Sequence, residues 1–363
     1  MLRKLTTLLL LVSSIVMVIA VQAQDEDVPV ASGLNAPRHL TFGADGTLYI
    51  AEAGTGGDTK VPSPAGGGEV NFGETASIST VAPDGTQGIF MDGLLSVSDD
   101  FGQSQGVNQA VVTDTTAWLV LGQGPTPENI PADAGVMTAL VTIDLATGDT
   151  GNVIDLFAFE QENNPDGSAD LASNPSEIGV TSDGTVLIVD ASANALLSWT
   201  EADGLQLVHA WEVDETGATA APVPSSLAIA SDDSVYIGFL SGFPFAPGTA
   251  KIEHWVEGEL AETFEGLTLV TDVALDADGN LYAVQFADGF GETGFNPNTG
   301  SVVQVSAEGI TPIMTGLNLP YGIAQNTAGE WFVSINSAFS APGSGAVLKV
   351  REGVFAPIST PEA

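Results

Sequence analysis

Short runs of alternating apolar and polar residues, separated by polar turns, recur along most of this chain. Between Leu40 and Ala51, for example, two such runs flank the turn GADGT (43–47). Alternation with a period of two predicts a β-strand with one buried face, and an Asp-Gly turn between two strands predicts a tight hairpin. Helical periodicity is almost absent. The pattern therefore predicts an all-β protein.

The hairpin phrase returns at intervals and defines six units. Its copies run over residues 33–54, 107–124, 173–192, 223–241, 269–287 and 319–337, the second of them degraded. A second hairpin follows in most units, at 77–91, 139–156, 195–211 and 251–264. Four antiparallel strands in each of six units predict a six-bladed β-propeller of four-stranded antiparallel blades, folded as one domain.

The two ends of the chain carry the signal for ring closure. PVASGLNAP (29–37) matches PIMTGLNLP (312–320) in phase, so residues 28–32 are expected to form the outermost strand of the sixth blade. Such a strand removes a free sheet edge. VFAPIS (354–359) has the same phase. Both ends are therefore candidates for this one position.

The long segments between strands are predicted to share one face of the propeller. With the strands of a blade labelled A to D from the axis outwards, they lie in B–C connections at 54–75, 122–135, 241–249, 286–301 and 337–345, and in D–A connections at 95–106 and 160–172. Antiparallel pairing brings these two kinds of connection to the same end of a blade. Long loops on a rigid scaffold are typical of binding and catalytic sites.

The side chains at the channel mouth on that face begin strand A or end strand B. One column of strand A starts consists of Arg38, Gln109, Ser176, Ser225, Thr271 and Tyr321. The adjacent column consists of His39, Ala110, Glu177, Ser226, Asp272 and Gly322. The strand B ends are Glu52, Gln123, Asp190, Gln285 and Asn336. A register shift of one residue exchanges the first two columns.

From these positions we select the candidate site residues. The ligand-binding candidates are Arg38, Glu52, Gln109, Gln123, Asp190 and Tyr321. Arg38 and Glu52 lie across one hairpin, where they form either an anion clamp held by a carboxylate or a structural ion pair. Asp190 is either a ligand residue or a brace for its own turn.

Three further residues are candidates for metal binding. His39, Glu177 and Asp272 come from alternate blades, so they can surround one axial ion; the alternative is a chance grouping of polar residues in a wet channel. ENNPDGSAD (162–170) is an acidic calcium candidate without the full EF-hand spacing, whereas turn chemistry explains DADGN (276–280). A divalent cation, calcium in particular, is thus the cofactor that the sequence suggests.

No catalytic residue is assigned, because the motifs of nucleophilic catalysis are absent. There is no G-x-S-x-G and no H-E-x-x-H sequence. His209 and His254 fall in predicted outer strands, which leaves His39 as the one histidine at the mouth. A Ser-His-Asp mechanism is therefore disfavoured.

The N-terminus and the composition indicate where the protein works. Arg3 and Lys4 precede an apolar run, and Val21-Gln22-Ala23 has the small residues of a cleavage site. They predict a signal peptide over residues 1–23, cleaved after Ala23, and a secreted or periplasmic propeller over 24–363 with no stable membrane anchor. The alternative is an uncleaved anchor, because the apolar run is close to the length of a membrane span.

The charge balance restricts the partners. The chain has 46 acidic and 7 basic residues and no cysteine. Disulfides and thiolate metal sites are excluded, and so acidic a surface repels nucleic acids. It suits cations, a cationic partner or a saline medium.

Several stretches resemble the ScyD/ScyE family, NHL-type (TolB-like) propellers named for gene clusters that make the pigment scytonemin. They are GLNAPRHLTFGADGTLYIAEAG (33–54), ENNPDGSADLASNPSEIGVTSDGTVLIVDASANALL (162–197), SGFPFAPGTAKI (241–252) and TDVALDADGNLYAV (271–284). The resemblance implies an extracytoplasmic propeller with an accessory role around an indole-derived pigment or another secreted metabolite. It implies no catalytic residues. The family more often has Gly at position 39 and often Glu at position 285.

Three functions remain open from the sequence. The first is a secreted binding or accessory propeller that holds a small-molecule ligand, an ion or a protein partner at its long-loop face. The second is a metal-assisted hydrolase or lyase in which an ion among His39, Glu177 and Asp272 acts as a Lewis acid. The third is a calcium-stabilised platform for surface interactions.

Overall fold

Six antiparallel blades surround a central axis in the computed structural model of the chain, which describes residues 28–351 except 65, 67, 132, 133 and 215. This confirms the predicted six-bladed β-propeller. The predicted signal peptide (1–23) and the segment 354–359 lie outside the described residues.

The chain begins in the last blade with β1 (Val28–Leu34) and then runs through the blades in order. Blade one contains β2 (Pro37–Phe42), β3 (Leu48–Glu52), β4 (Thr59–Pro62), β5 (Glu69–Val81), β6 (Gln87–Ser98) and β7 (Ser104–Gln105). Blade two contains β8 (Val107–Val112), β9 (Thr116–Leu121), β10 (Ala139–Asp144) and β11 (Thr150–Asp155). Blade three contains β12 (Pro175–Val180), β13 (Val186–Asp190), β14 (Ala195–Thr200) and β15 (Gly204–Ala210).

The second half of the ring repeats this arrangement. Blade four contains β16 (Pro224–Ile229), β17 (Val235–Phe239), β18 (Ala250–Val256) and β19 (Glu259–Leu267). Blade five contains β20 (Val270–Leu275), β21 (Leu281–Gln285), the small loop hairpin β22 (Phe290–Gly291) and β23 (Gly294–Phe295), then β24 (Gly300–Ser306) and β25 (Gly309–Leu317). Blade six contains β26 (Ile323–Gln325), β27 (Trp331–Ile335), β28 (Gly345–Lys349) and, outermost, β1.

The first strand of the chain closes the ring. β1 pairs antiparallel with β28, with Val28 opposite Lys349 and Leu34 opposite Gly345. Of the two ends that the sequence left as candidates for the outermost strand of blade six, residues 28–32 therefore occupy this position. Leu34 packs with Leu40 of blade one and Phe332 of blade six. The joint is therefore an apolar core like the other blade interfaces.

Each blade buries both of its faces against its two neighbours, as stacked repeat units do. Between blades two and three, for instance, Leu140 packs with Ile178 and Ile188. Between blades five and six, Val284 packs with Trp331 and Val333. Blade one differs from the rest, because β5 and β6 extend beyond it and pair with β4 and β7. Part of segments 54–75 and 95–106 is thus strand and not loop.

Within the described residues, two short helical segments interrupt the β structure. A 3-10 turn spans Pro127–Asn129, and α1 (Leu156–Asn163) connects blades two and three. The carboxylate of Asp155 caps α1 by accepting the Ala158 N–H at 2.9 Å, and the helix ends at Asn164 in a left-handed conformation. Eight residues are too few to show a helical period in the sequence. Nowhere in the described part of the chain is a helix long and apolar enough for a membrane span.

Candidate functional site at the channel mouth

The inner strands share an irregularity where they begin. In five blades the pairing with the next strand shifts there, between Pro37 and Leu40, Val107 and Gln109, Pro175 and Glu177, Pro224 and Ser226, and Val270 and Asp272. A β-bulge of this kind can turn two consecutive side chains toward one side of a strand. The two predicted columns of inner-strand residues therefore do not exclude each other as channel-facing positions. Side chains of both columns face the axis, at different depths.

A cavity of about 1080 Å³ opens above the first column. Five of the six first-column residues line it, namely Arg38, Ser176, Ser225, Thr271 and Tyr321. The wall residues include members of four of the seven predicted long segments, 95–106, 241–249, 286–301 and 337–345. The inner-strand starts thus form a floor, and the long loops form walls around it.

The wall contains aromatic side chains that the sequence analysis missed. Five of them, which we call the phenylalanine wall, are Phe245, Phe286, Phe290, Phe295 and Phe339. Ring centroids lie 4.9 Å apart for Phe290 and Phe295, and 5.2 Å apart for Phe295 and Phe339. The sequence shows these phenylalanines in glycine-rich loops that were predicted to share one face of the propeller. A loop has no periodicity, so the sequence does not indicate which way their side chains point.

Arg38 lies on the cavity floor, and its guanidinium group makes only part of the hydrogen bonds that it can donate. Its side chain is 3% exposed, and its Nη2 donates to the backbone carbonyl of Ser104 at 2.5 Å. The guanidinium stacks over the Tyr321 ring at 4.7 Å. Its Nε and Nη1 have no hydrogen-bond partner among the described residues. Burial lowers the pKa of Arg38, although Tyr321 acts in the opposite direction.

The predicted pairing of Arg38 with Glu52 is not formed; both residues are described and no ion pair joins them. Pro37 lies directly opposite Glu52, and the bulge that follows turns Arg38 to the axis. The Glu52 carboxylate instead accepts the Asn35 N–H at 2.6 Å and the hydroxyls of Ser77 and Ser79 at 3.1 and 2.5 Å. Glu52 therefore braces its own blade.

A buried cluster lies beneath the floor. His39 Nδ1 is 3.4 Å from Asp272 Oδ2 and 3.7 Å from Glu177 Oε1. One donor atom of each residue lies within 4.8 Å of the others. The structure thus brings the three metal candidates together across the axis from blades one, three and five. None of the three, all of which are described, lines the cavity.

The cluster is tied into the neighbouring blades. Glu177 Oε2 accepts the Leu227 N–H at 2.9 Å, and Asp272 Oδ2 accepts the Ile323 N–H at 2.7 Å. Gln109 donates to Glu177 Oε1 at 3.0 Å and accepts the Ile178 N–H at 2.8 Å. The two carboxylates therefore hold blades together whether or not an ion lies between them, and Gln109 serves the cluster and not the cavity.

His39 and the carboxylates influence one another's protonation. Burial alone would lower the pKa of His39, but Glu177 and Asp272 together raise it. Burial, assisted by Asp272, raises the pKa of Glu177 against the opposing effect of His39. His39 Nδ1 faces both carboxylates without forming a well-aligned hydrogen bond to either, and Nε2 has no hydrogen-bond partner within the described chain. The imidazole can therefore carry a proton between the carboxylates or ligate a cation with them.

The remaining candidates brace strand ends. Asp190 is fully buried and accepts the N–H groups of Asn174 and Ala193 at 2.7 and 3.1 Å, besides the Ser173 hydroxyl. Gln123 is bound through its backbone N–H to the Asn174 side chain at 2.9 Å and is not a lining residue. Glu52, Gln109, Gln123 and Asp190 thus lie outside the cavity, whereas Arg38 and Tyr321 line it.

The calcium candidate at 162–170 comprises the end of α1 and the turn that follows it. Asp166 accepts the Ser168 N–H at 2.8 Å and the Asn194 side-chain amide at 2.8 Å. Among the described residues, His39, Glu177 and Asp272 make up the one group of three or more such side chains with donor atoms this close. In DADGN, Asp276 accepts the Asp278 and Asn280 N–H groups at 2.9 and 2.8 Å, as turn chemistry predicts.

Solved structures of the same architecture match the chain at low identity. A putative oxidoreductase (glucose dehydrogenase) from Thermus thermophilus has a TM-score of 0.53 and 13% identity, covering 89% of this chain and 99% of that chain. A protein of unknown function from Bacteroides thetaiotaomicron has a TM-score of 0.51 and 11% identity, covering 90% and 72%. A streptogramin B lyase has a TM-score of 0.48 and 11% identity, covering 90% and 97%.

At such identities the first two likenesses show the fold and nothing of the chemistry. No sequence profile of a protein family matches the chain, and no curated protein matches its sequence.

Proposed function

We propose that this protein is an extracytoplasmic accessory propeller that binds a small molecule in the cavity at its long-loop face. The observation that carries the proposal is the cavity itself, about 1080 Å³ in volume, with inner-strand residues as its floor and loop residues as its walls. Pockets for small organic ligands usually measure roughly 300–1,000 Å³. The cavity is therefore large enough to enclose most of such a ligand.

The proposed location and role rest on the sequence. The predicted signal peptide over 1–23 supports export, and the resemblance to the ScyD/ScyE family supports an accessory role around a secreted metabolite. A scytonemin-like pigment pathway is one setting that this resemblance suggests. Binding without turnover is favoured because no nucleophile and base are paired on the floor, where Arg38, Ser176, Ser225, Thr271 and Tyr321 meet the cavity.

A neutral fluorescent probe tests the proposal. N-phenyl-1-naphthylamine brightens in apolar pockets, so it is expected to bind the purified protein in a one-to-one complex. Phe295→Ala should weaken binding roughly 10-fold, because it removes the ring at the centre of the phenylalanine wall. Phe90→Ala is the matched control, since Phe90 packs on Tyr49 in blade one and does not line the cavity. Absence of binding, or equal losses in both variants, would refute the proposal.

A second candidate is a metal-assisted hydrolase or lyase, which the gathering of His39, Glu177 and Asp272 favours. One imidazole nitrogen and two carboxylates are a ligand set found around zinc and other transition ions, and they suit calcium less well. A Lewis acid has to contact the reacting group. Here Arg38 and Tyr321 line the floor above the cluster, so this function requires the floor to open.

Ion binding to this cluster is tested by thermal denaturation of EDTA-treated protein with zinc or calcium, together with elemental analysis. An ion bound there should raise Tm in the wild type by several degrees, because it binds only the folded state. His39→Ala and Glu177→Gln should abolish the rise, and Glu201→Gln, an exposed carboxylate in blade three, should retain it. If no ion raises Tm and no metal is found, the second candidate fails and the first is unaffected.

A further inference from the structure

The phenylalanine wall is built as a rigid surface. Phe295 lies at its centre, with ring centroids 4.9 Å from Phe290, 5.1 Å from Phe286 and 5.3 Å from Phe245. These rings come from the loops of blades four and five, and Phe339 adds a ring from blade six. Mutual contact restrains their rotation. The cavity is therefore bounded by preformed apolar faces that suit a flat ligand.

Two residues of the wall adopt a left-handed backbone conformation that surrounding hydrogen bonds hold in place. Phe245 and Phe339 both have φ of 59°, in the left-handed region that bulky residues rarely occupy. The Phe245 N–H is held by the Gly242 carbonyl at 3.0 Å, and the Phe339 N–H by the Gly102 carbonyl at 2.9 Å. Strained residues of this kind cluster at binding sites, where surrounding contacts enforce the conformation.

The floor contributes one positive charge to this cavity with its apolar wall. Arg38 is the one lysine or arginine among the residues that line the cavity, and it forms no ion pair in the described chain. A buried cation without a counter-charge is costly unless another group supplies one. The lining carboxylates, Asp99 and Glu292, lie on loops at the walls. The guanidinium can therefore pair with an acceptor that a ligand brings.

We infer that the ligand of this cavity is an aromatic anion, whose rings lie against the phenylalanine wall and whose carboxylate, sulfonate or phenolate oxygen pairs with Arg38. The inference rests on the proposed function and names its ligand class. A neutral aromatic molecule would use the wall and leave Arg38 unpaired. An organic cation would place its charge beside Arg38. The net charge of −39 does not oppose the anion strongly, because charges beyond about 10 Å are screened by salt whereas Arg38 is in contact.

Two probes with the same ring system separate the contributions of the wall and the floor. 8-Anilinonaphthalene-1-sulfonate is an aromatic anion, and N-phenyl-1-naphthylamine lacks the sulfonate. Arg38→Gln should weaken binding of the sulfonate probe by roughly 10- to 100-fold, the range for losing hydrogen bonds to a charged group. It should change binding of the neutral probe less than about 3-fold. Lys60→Gln, which removes a half-exposed cation paired with Asp100, is the control and should alter neither.

The measurements distinguish the inference from the function on which it rests. Equal losses of both probes in Arg38→Gln would overturn the inference and leave the proposed function standing. Failure of the neutral probe to bind the wild type would overturn the proposed function itself. Should Arg38→Gln not fold, competition on the wild type decides: 1-naphthalenesulfonate should displace the sulfonate probe at a concentration at least 10-fold lower than neutral 1-naphthalenesulfonamide, and equal potency would overturn the inference.

Discussion

Two pairs of buried charged residues, one at the ends of the second strands and one at the starts of the inner strands, differ in how fully their side chains are hydrogen-bonded. At the ends of the second strands, Glu52 and Asp190 each accept three hydrogen bonds within their own blade. At the starts of the inner strands, Arg38 and His39 retain nitrogens without partners. Burial alone does not separate structural charges from candidates for binding. An unmade hydrogen bond is a second criterion, but it does not by itself mark a binding site.

The second-strand ends of blades one, three and five perform the same structural task. Gln285 accepts the Thr268 N–H at 2.7 Å, just as Glu52 accepts the Asn35 N–H and Asp190 the Asn174 N–H. In each case the donor lies just before the inner strand of the same blade. In these three blades a polar side chain therefore fixes the entry of the inner strand.

Removal of a saturated carboxylate should have the largest effect. Glu52→Ala leaves three donors in the blade without their acceptor, so it should lower the free energy of unfolding by about 3 kcal/mol. Chemical denaturation measures the change. Glu74→Ala, at an exposed position of the same blade, should cost less than about 0.5 kcal/mol. If Glu52→Ala and Glu74→Ala lowered the free energy of unfolding equally, Glu52 would not be a structural brace. The contrast between Glu52 and Arg38 would then have no basis.

Glu160 tests whether a missing partner by itself marks a binding site. It is buried in α1, away from the cavity, and neither carboxylate oxygen has a partner among the described residues. Burial, with Asp166 and Asp190 nearby, raises its pKa from 4.5 to about 8. The carboxyl group of Glu160 therefore holds a proton and stays neutral at pH values below about 8, so it does not need a partner to balance a charge. Because the folded state holds this proton more tightly than the unfolded state, its stabilising contribution is complete below pH 4.5 and is lost as the pH rises toward 8.

Glu160→Gln should therefore gain stability relative to the wild type as the pH rises through this window, on the order of 1 kcal/mol. Denaturation curves at several pH values measure the difference. Glu162→Gln, an exposed position on the same helix, should follow the wild type at every pH. A constant difference between Glu160→Gln and the wild type would contradict the pKa assignment.

The smallest change in stability is expected for Arg38→Met. The substitution loses one hydrogen bond and the contact with Tyr321, but it also removes a buried charge whose hydrogen bonds are incomplete. These effects oppose each other, so the free energy of unfolding should change by less than about 1 kcal/mol. A loss as large as that of Glu52→Ala would place Arg38 among the structural braces, against its assignment to the ligand.

The repeated pattern was sufficient to predict the fold, because each blade is a local hairpin unit whose turns and alternation are written in adjacent residues. The phase of residues 29–37 also made the start of the chain a candidate for the outermost strand of blade six, but residues 354–359 have the same phase, so the sequence did not decide between them. The partners of Arg38 and Glu52 were harder to predict from the sequence. Their pairing was inferred from a regular antiparallel register, and a bulge changes that register without a distinct residue pattern.

The walls of the site were beyond sequence reasoning for a related reason. The orientation of Phe245 and Phe339 depends on left-handed backbone conformations that their residue type does not suggest. Helix α1, and Glu160 within it, could not be predicted because two turns carry too little pattern. By contrast, His39, Glu177 and Asp272 were found as a set because they occupy equivalent positions in alternate blades.

Pairing of β1 with β28 makes the cavity depend on both ends of the propeller. Arg38 follows β1 closely and Phe339 precedes β28, so the first and last blades made by the ribosome both contribute to the cavity. A chain that stops short of β28 leaves β1 without its partner strand and exposes a sheet edge of the kind that chaperones and proteases engage. The cavity, which spans this joint, is therefore complete only when the last blade has paired with the first strand of the ring.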